Sequence, residues 1–131
     1  MNVLDPWLDA ATIAASLQQR SASLVVLLGA ESWCAKCREL RPVFEAAAAN
    51  ATAGAWLWLD LEGHAEFVGD FVPDDMPLLL VYFEGKLLHS AIASQSELDV
   101  VLYGRGEAAV VHSAPPELLE RLLDENWVLN R

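Results

Sequence analysis

Cysteine is scarce in this 131-residue chain: there are two, Cys34 and Cys37, both inside the stretch SWCAKCRELRP. A framework stapled by several disulfides is therefore excluded. Zinc takes about four ligands, and with no second CxxC only His64, His89 and His112 could complete a site; no metal is expected. Basic residues are few as well, 8 against 19 acidic ones, for a net charge of −11. Such a surface repels phosphate backbones and anionic lipid, which argues against nucleic acid or a membrane as partner. No apolar run approaches the roughly 20 residues that span a bilayer. The first segment, MNVLDPWLDAATIAASLQQR, has no basic n-region and carries Asp5 and Asp9, unlike a secretory signal. The expected location is the cytoplasm, where a CxxC pair stays mostly reduced and a purely structural disulfide is out of place. No repeat or low-complexity tract is visible, and the alanines at 46–49 read as helix interior.

What is present is a large apolar fraction, 54%, well above a disordered composition and sufficient for one domain over 1–131. Asp5 before Pro6 reads as a helix cap with proline in the first turn, opening a helix over about 6–19. SLVVLLG (23–29) is a continuous branched apolar run, suited to a strand buried on both faces. A helix follows from Cys34 to Asn50 with Leu40, Val43, Phe44 and Ala47 inward and a kink expected at Pro42. AWLWLDL (55–61) is a strand, HAEFVGDF (64–71) a short helix, PDD (73–75) a turn and PLLLVYF (77–83) a third strand. Its initial proline cannot donate within a central ladder. Glu84-Gly85 turns the chain into an antiparallel strand, KLLHSAI (86–92). Helices are expected over 95–103 and in the last segment, the latter with Leu118, Leu119, Leu122 and Leu123 on one face. The order αβαβαββα implies an α/β fold, a mixed sheet flanked by helices.

A strand that delivers Cys34 to the first turn of a helix sets its sulfur near unpaired N–H groups and the positive end of the helix dipole. Thiolate is favoured over thiol there, with pKa values of roughly 3.5 to 7.5 in such settings. Lys36, between the cysteines, and Arg38 add positive charge. Cys37, one turn further in, is expected to be more buried and less acidic. Cys34 is then the attacking sulfur and Cys37 the resolving one in thiol–disulfide exchange through a mixed disulfide.

Four features in order make the stretch from about 20 to 102 resemble the thioredoxin family. Trp33-Cys34-x-x-Cys37 follows a buried strand; Pro42 comes five residues after Cys37; Met76-Pro77 places its proline 43 residues after Cys34; and Gly85 follows eight residues later at the hairpin. The resemblance implies a thioredoxin-like fold with a central four- to five-stranded sheet, and an extra C-terminal helix beyond it in the extension 104–131. It implies a disulfide oxidoreductase acting on protein clients, with no bound cofactor beyond a redox-active Cys34–Cys37 disulfide. A flavoprotein reductase of the thioredoxin-reductase type is the implied electron donor. Met76-Pro77 would be a cis-proline loop that packs on the sulfurs and offers Met76 backbone groups to an extended substrate, with Trp33 as a platform beside it. Trp56, Trp58 and Trp127 are expected in the core or in helix packing, and the histidines at the surface or in strands without a role.

The chain also departs from the family. The buried aspartate that relays the resolving thiol's proton is replaced by Leu28, and its lysine partner falls at or near Trp58. Glu31 or a water is the candidate substitute. Asp74 and Asp75, just before the loop, disfavour a nearby thiolate and are either a solvated turn or a selectivity device. The alternative function is a protein-interaction or chaperone-like module in which the dithiol is not catalytic.

Overall fold

The computed structural model describes residues 2–18, 23–51, 54–93 and 109–123. Four strands, β1 (Ser23–Gly29), β2 (Ala55–Asp60), β3 (Leu78–Phe83) and β4 (Lys86–Ile92), form one sheet in the order β2-β1-β3-β4. β1 pairs parallel with β2 and antiparallel with β3, and β3 pairs antiparallel with β4. The helices are α1 (Ala10–Leu17), α2 (Ala35–Asn50), α3 (Ala65–Val68) and α4 (Leu118–Leu123). This is the mixed sheet flanked by helices that the sequence pattern implies.

Strand alternation splits the interior into two cores. Leu24, Val26, Leu28, Leu57, Leu59, Leu78 and Leu80 face one side, with Ile13 of α1, Phe67 and Val68 of α3, and Leu118 and Leu122 of α4. Val25, Leu27, Trp56, Trp58 and Leu79 face the other, where Cys37, Phe44, Ala47 and Ala48 of α2 cover them. Covered on both sides, β1 from Leu24 onward is wholly buried, the reason its sequence is apolar without alternation. α2 is continuous across Pro42, whose missing N–H leaves the Arg38 carbonyl without its i→i−4 donor.

Several elements are shorter than their patterns suggest. Asp5 does cap the N-terminal segment, its carboxylate accepting the Trp7 and Leu8 N–H groups at 2.8 and 3.1 Å, but residues 6–9 stay in turns and the regular helix starts at Ala10. α3 spans four residues, ended by Gly69 in a positive-φ conformation (φ 68°). Glu84 and Gly85 both take positive φ, 52° and 79°, the two-residue hairpin geometry whose twist matches the strands. The helix expected over 95–103 and Trp127 lie outside the described residues.

Both sheet edges gain a single bridge: Leu4 pairs with Leu57 beyond β2, and Val110 with Ser90 beyond β4. The C-terminal extension thus covers an edge and a face at once, since α4 also contributes Leu118 and Leu122 to the first core. Arg121 donates to the Phe67 carbonyl at 3.2 Å, tying α4 to α3.

Candidate functional site

β1 ends at Gly29, residues 31–33 form a turn, and Cys34 is the N-cap of α2 in an extended conformation. Its Sγ accepts the Cys37 backbone N–H at 3.3 Å. The sulfur therefore takes the place of a capping oxygen, satisfying one of the orphan donors of the helix start. Cys34 and Cys37 form a disulfide with a Cα–Cα separation of 5.3 Å. Cys34 is half-buried at the surface, whereas Cys37 has no exposure. Trp33 and Lys36 are exposed beside them, and Arg38 donates to the Glu31 carbonyl at 2.9 Å.

Met76 packs in the same core cluster as Cys37, with Cys34 against it. The Met76-Pro77 peptide is cis. Pro77 is buried and stands just outside the ladder; its carbonyl accepts the Ala93 N–H at 2.7 Å. The Met76 N–H donates to the Asp75 carboxylate at 2.8 Å. Asp74 and Asp75 are both exposed.

The surroundings of Cys37 are apolar. Leu28 belongs to the core on the opposite face of the sheet from Cys37. The neighbour that touches the sulfur is Gly29: a Cβ built there would lie 2.9 Å from Cys37 Sγ and 3.3 Å from Trp58 Cη2. The Arg41 guanidinium stacks 4.8 Å from the Trp58 ring centroid. It also pairs with Glu31 at 2.9 Å and Glu45 at 3.1 Å. Glu31 is thus turned to Arg41, with the Trp58 indole as the group that packs beside Cys37.

Two residues that sequence reasoning left without a role organise the approach to the motif. Asp60, at the end of β2, accepts the N–H of Glu31 at 3.0 Å, of Glu62 at 2.9 Å and of Gly63 at 3.1 Å. Burial pushes its carboxyl up, but those donors and the nearby His64 more than offset this and hold it below the ordinary value. His64, expected at the surface or in a strand, is instead buried at the N-cap of α3. Its Nδ1 accepts the Asp60 N–H at 2.8 Å, so the neutral ring carries its proton on Nε2, which donates to Asp5 at 3.1 Å. Asp5 is likewise held low: burial raises it, and the Leu8 and Trp7 N–H groups and His64 outweigh that. A polar cleft of about 200 Å³ runs between Asp5, Glu31, Arg41, Trp58, Asp60 and His64. The signal available in sequence was the spacing Asp60-x-x-x-His64 at a strand end, which names no partner until Asp5 and Glu31 are brought beside it. His89 is buried in β4 and His112 is half-buried. Trp56 and Trp58 are core residues, as their pattern suggested.

A strand-loop-helix dithiol on a mixed sheet defines a class of redox-active α/β domains. The thioredoxin family model matches residues 8–102, and the chain belongs to that family. The match starts earlier than the stretch from about residue 20 that the motifs covered, taking in α1. Among solved structures, thioredoxin NaTrxh from Nicotiana alata is similar with 23% identity and a TM-score of 0.64, over 81% of this chain and 94% of that one. Schistosoma mansoni thioredoxin has 16% identity and a TM-score of 0.64, over 80% and 96%. Thioredoxin O1 from Arabidopsis thaliana in an oxidized state has 17% identity and a TM-score of 0.59, over 79% and 99%. At these identities the likeness speaks to the fold. No curated protein matches the sequence significantly.

Proposed function

We propose that the protein is a thiol–disulfide oxidoreductase acting on protein disulfides. The observation that carries this reading is the asymmetry of the pair: Cys34 Sγ sits half-exposed on the helix N-cap accepting an N–H, while Cys37 is fully buried next to it. In the reduced protein the Cys34 thiolate attacks one sulfur of a client disulfide, and the client's other sulfur leaves as thiolate and takes up a proton. Cys37 then loses its proton and attacks Cys34 Sγ. The second client thiol is released, and the Cys34–Cys37 disulfide forms. Two electrons pass to the client, whose two thiols take one proton from Cys37 and one from solvent, and an external dithiol donor, such as a flavoprotein reductase, restores the pair. Clients lie over Trp33, Met76 and Pro77, with Lys36 favouring the thiolate and Glu31, Asp74 and Asp75 modulating it. The proposal takes the setting to be cytoplasmic, where such a donor keeps the pair reduced.

The deciding experiment is reduction of a model protein disulfide by wild type and by Cys34→Ser, with the equilibrium potential measured against glutathione. Cys34-dependent turnover is expected. Equal rates in the two proteins overturn the proposal and leave an interaction module whose dithiol is not catalytic.

A further inference from the structure

The loop that adjoins the cysteine pair comes with one of its backbone donors already occupied. Residues 71–77 precede β3 and belong to no strand. Within them Met76 belongs to the buried cluster that holds Cys37, and Cys34 packs against that same cluster. A peptide whose sulfur is bonded to Cys34 therefore passes beside Met76. An extended segment pairs with such a residue by giving an N–H to its carbonyl and taking its N–H in return. The neighbouring groups cannot serve: Pro77 has no N–H, and its carbonyl is held by Ala93. Among the described residues no group bonds the Met76 carbonyl, but the Met76 N–H is taken by the carboxylate of the preceding residue, Asp75, at 2.8 Å.

We propose that Asp75 is a specificity-determining residue that caps the Met76 N–H in place of substrate and gives it up preferentially to clients carrying a basic side chain. This rests on the oxidoreductase reading above and names the client class for the same site. A client carbonyl can bond the Met76 N–H only after the carboxylate swings away. For a neutral or acidic client, a charge-assisted bond is exchanged for an ordinary one, and the released carboxylate returns to water. For a client with Lys or Arg beside its cysteine, the released carboxylate, with Asp74 next to it, has a cation to meet. The cap thus acts as a filter: it lowers binding of every extended segment and restores it for basic ones. A solvated acidic turn would differ, since it would favour basic clients by charge alone and leave neutral ones untouched.

The two can be separated with peptide disulfides identical except for Lys, Gln or Glu beside the cysteine, assayed against wild type, Asp75→Ala and Asp75→Asn. Losing one exposed charge-assisted bond corresponds to about three- to tenfold in affinity. Asp75→Ala is expected to lower KM for the Gln peptide by that factor while narrowing the Lys-over-Gln preference. Asp75→Asn keeps an amide oxygen able to accept the Met76 N–H, so it is expected to lose the Lys preference with a smaller gain for Gln. Amide hydrogen exchange at Met76 supplies a readout apart from activity: it should quicken in Asp75→Ala and stay near wild type in Asp75→Asn. Exchange activity with an unchanged KM for the Gln peptide in Asp75→Ala, or unchanged Met76 amide protection, overturns the inference alone. Absence of Cys34-dependent exchange in all three proteins overturns the oxidoreductase reading and this inference with it.

Discussion

Replacing His64 tests whether the network behind the motif is built as described. His64→Leu keeps the volume of a mostly buried ring, 7% exposed, and removes both of its hydrogen bonds. The Asp60 N–H, bonded to Nδ1 at 2.8 Å, is left partly buried without its acceptor, at a cost of about 1–2 kcal/mol. The bond from Nε2 goes to a carboxylate that is 38% exposed, so solvent screening limits its share to about 1 kcal/mol. The expected loss is therefore about 2–3 kcal/mol, a large part of the roughly 5–15 kcal/mol of a typical domain. With a urea slope of about 2 kcal/mol per M, the midpoint should fall by roughly 1 to 1.5 M. His64→Asn places an amide oxygen near the position of Nδ1, keeps the Asp60 bond and loses only the Asp5 one. It should fall by about a third to a half as much. Urea unfolding followed by tryptophan fluorescence measures both. A His64→Leu midpoint equal to wild type refutes the network's energetic role, and equal losses in the two variants refute the assignment of Nδ1 as the acceptor.

After reduction, Cys34 should be alkylated much faster than Cys37 near neutral pH, because the first sulfur is half-exposed at a helix N-cap and the second has no exposure; mass mapping of a timed reaction decides, and equal rates refute the assignment. Gly69→Ala should destabilise by about 2 kcal/mol, since φ is +68° with ψ −143° and the Arg121 guanidinium must also swing away from the new Cβ; Gly85→Ala, with φ +79° but nothing within 4 Å, should cost less in the same thermal melt. The carboxyl of Asp60 is depressed below 3.8 in the folded protein, so its stabilisation is complete above that pH and is lost as pH falls through it toward the lower folded value. Asp60→Asn should therefore flatten the decline in stability on acidification, and an unchanged slope would count against the depressed value.

Much of this protein is set down locally in its chain. The apolar runs 23–29, 55–61 and 77–83 and the turn Glu84-Gly85 determine the strands, because burial and twist act on neighbours in sequence. Cys34 ahead of a helical pattern likewise determines that its sulfur meets the helix start, since a cap is a matter of three residues. Tertiary structure alone decided which groups stand behind the motif. Strand parity puts Leu28 on the far face and leaves Gly29 and Trp58 against Cys37, a consequence of sheet register and helix placement that no short segment contains. Glu31 read as the candidate substitute for the missing proton relay, but α2 brings Arg41 to pair with it. His64 read as an unassigned polar residue because Asp5, 59 positions away, becomes its neighbour only when the N-terminal segment bridges to β2. The extension beyond residue 104 carries a leucine pattern that announces a helix; what it cannot announce is the surface it covers, the apolar side of α1 and α3 around Ile13, Phe67 and Val68.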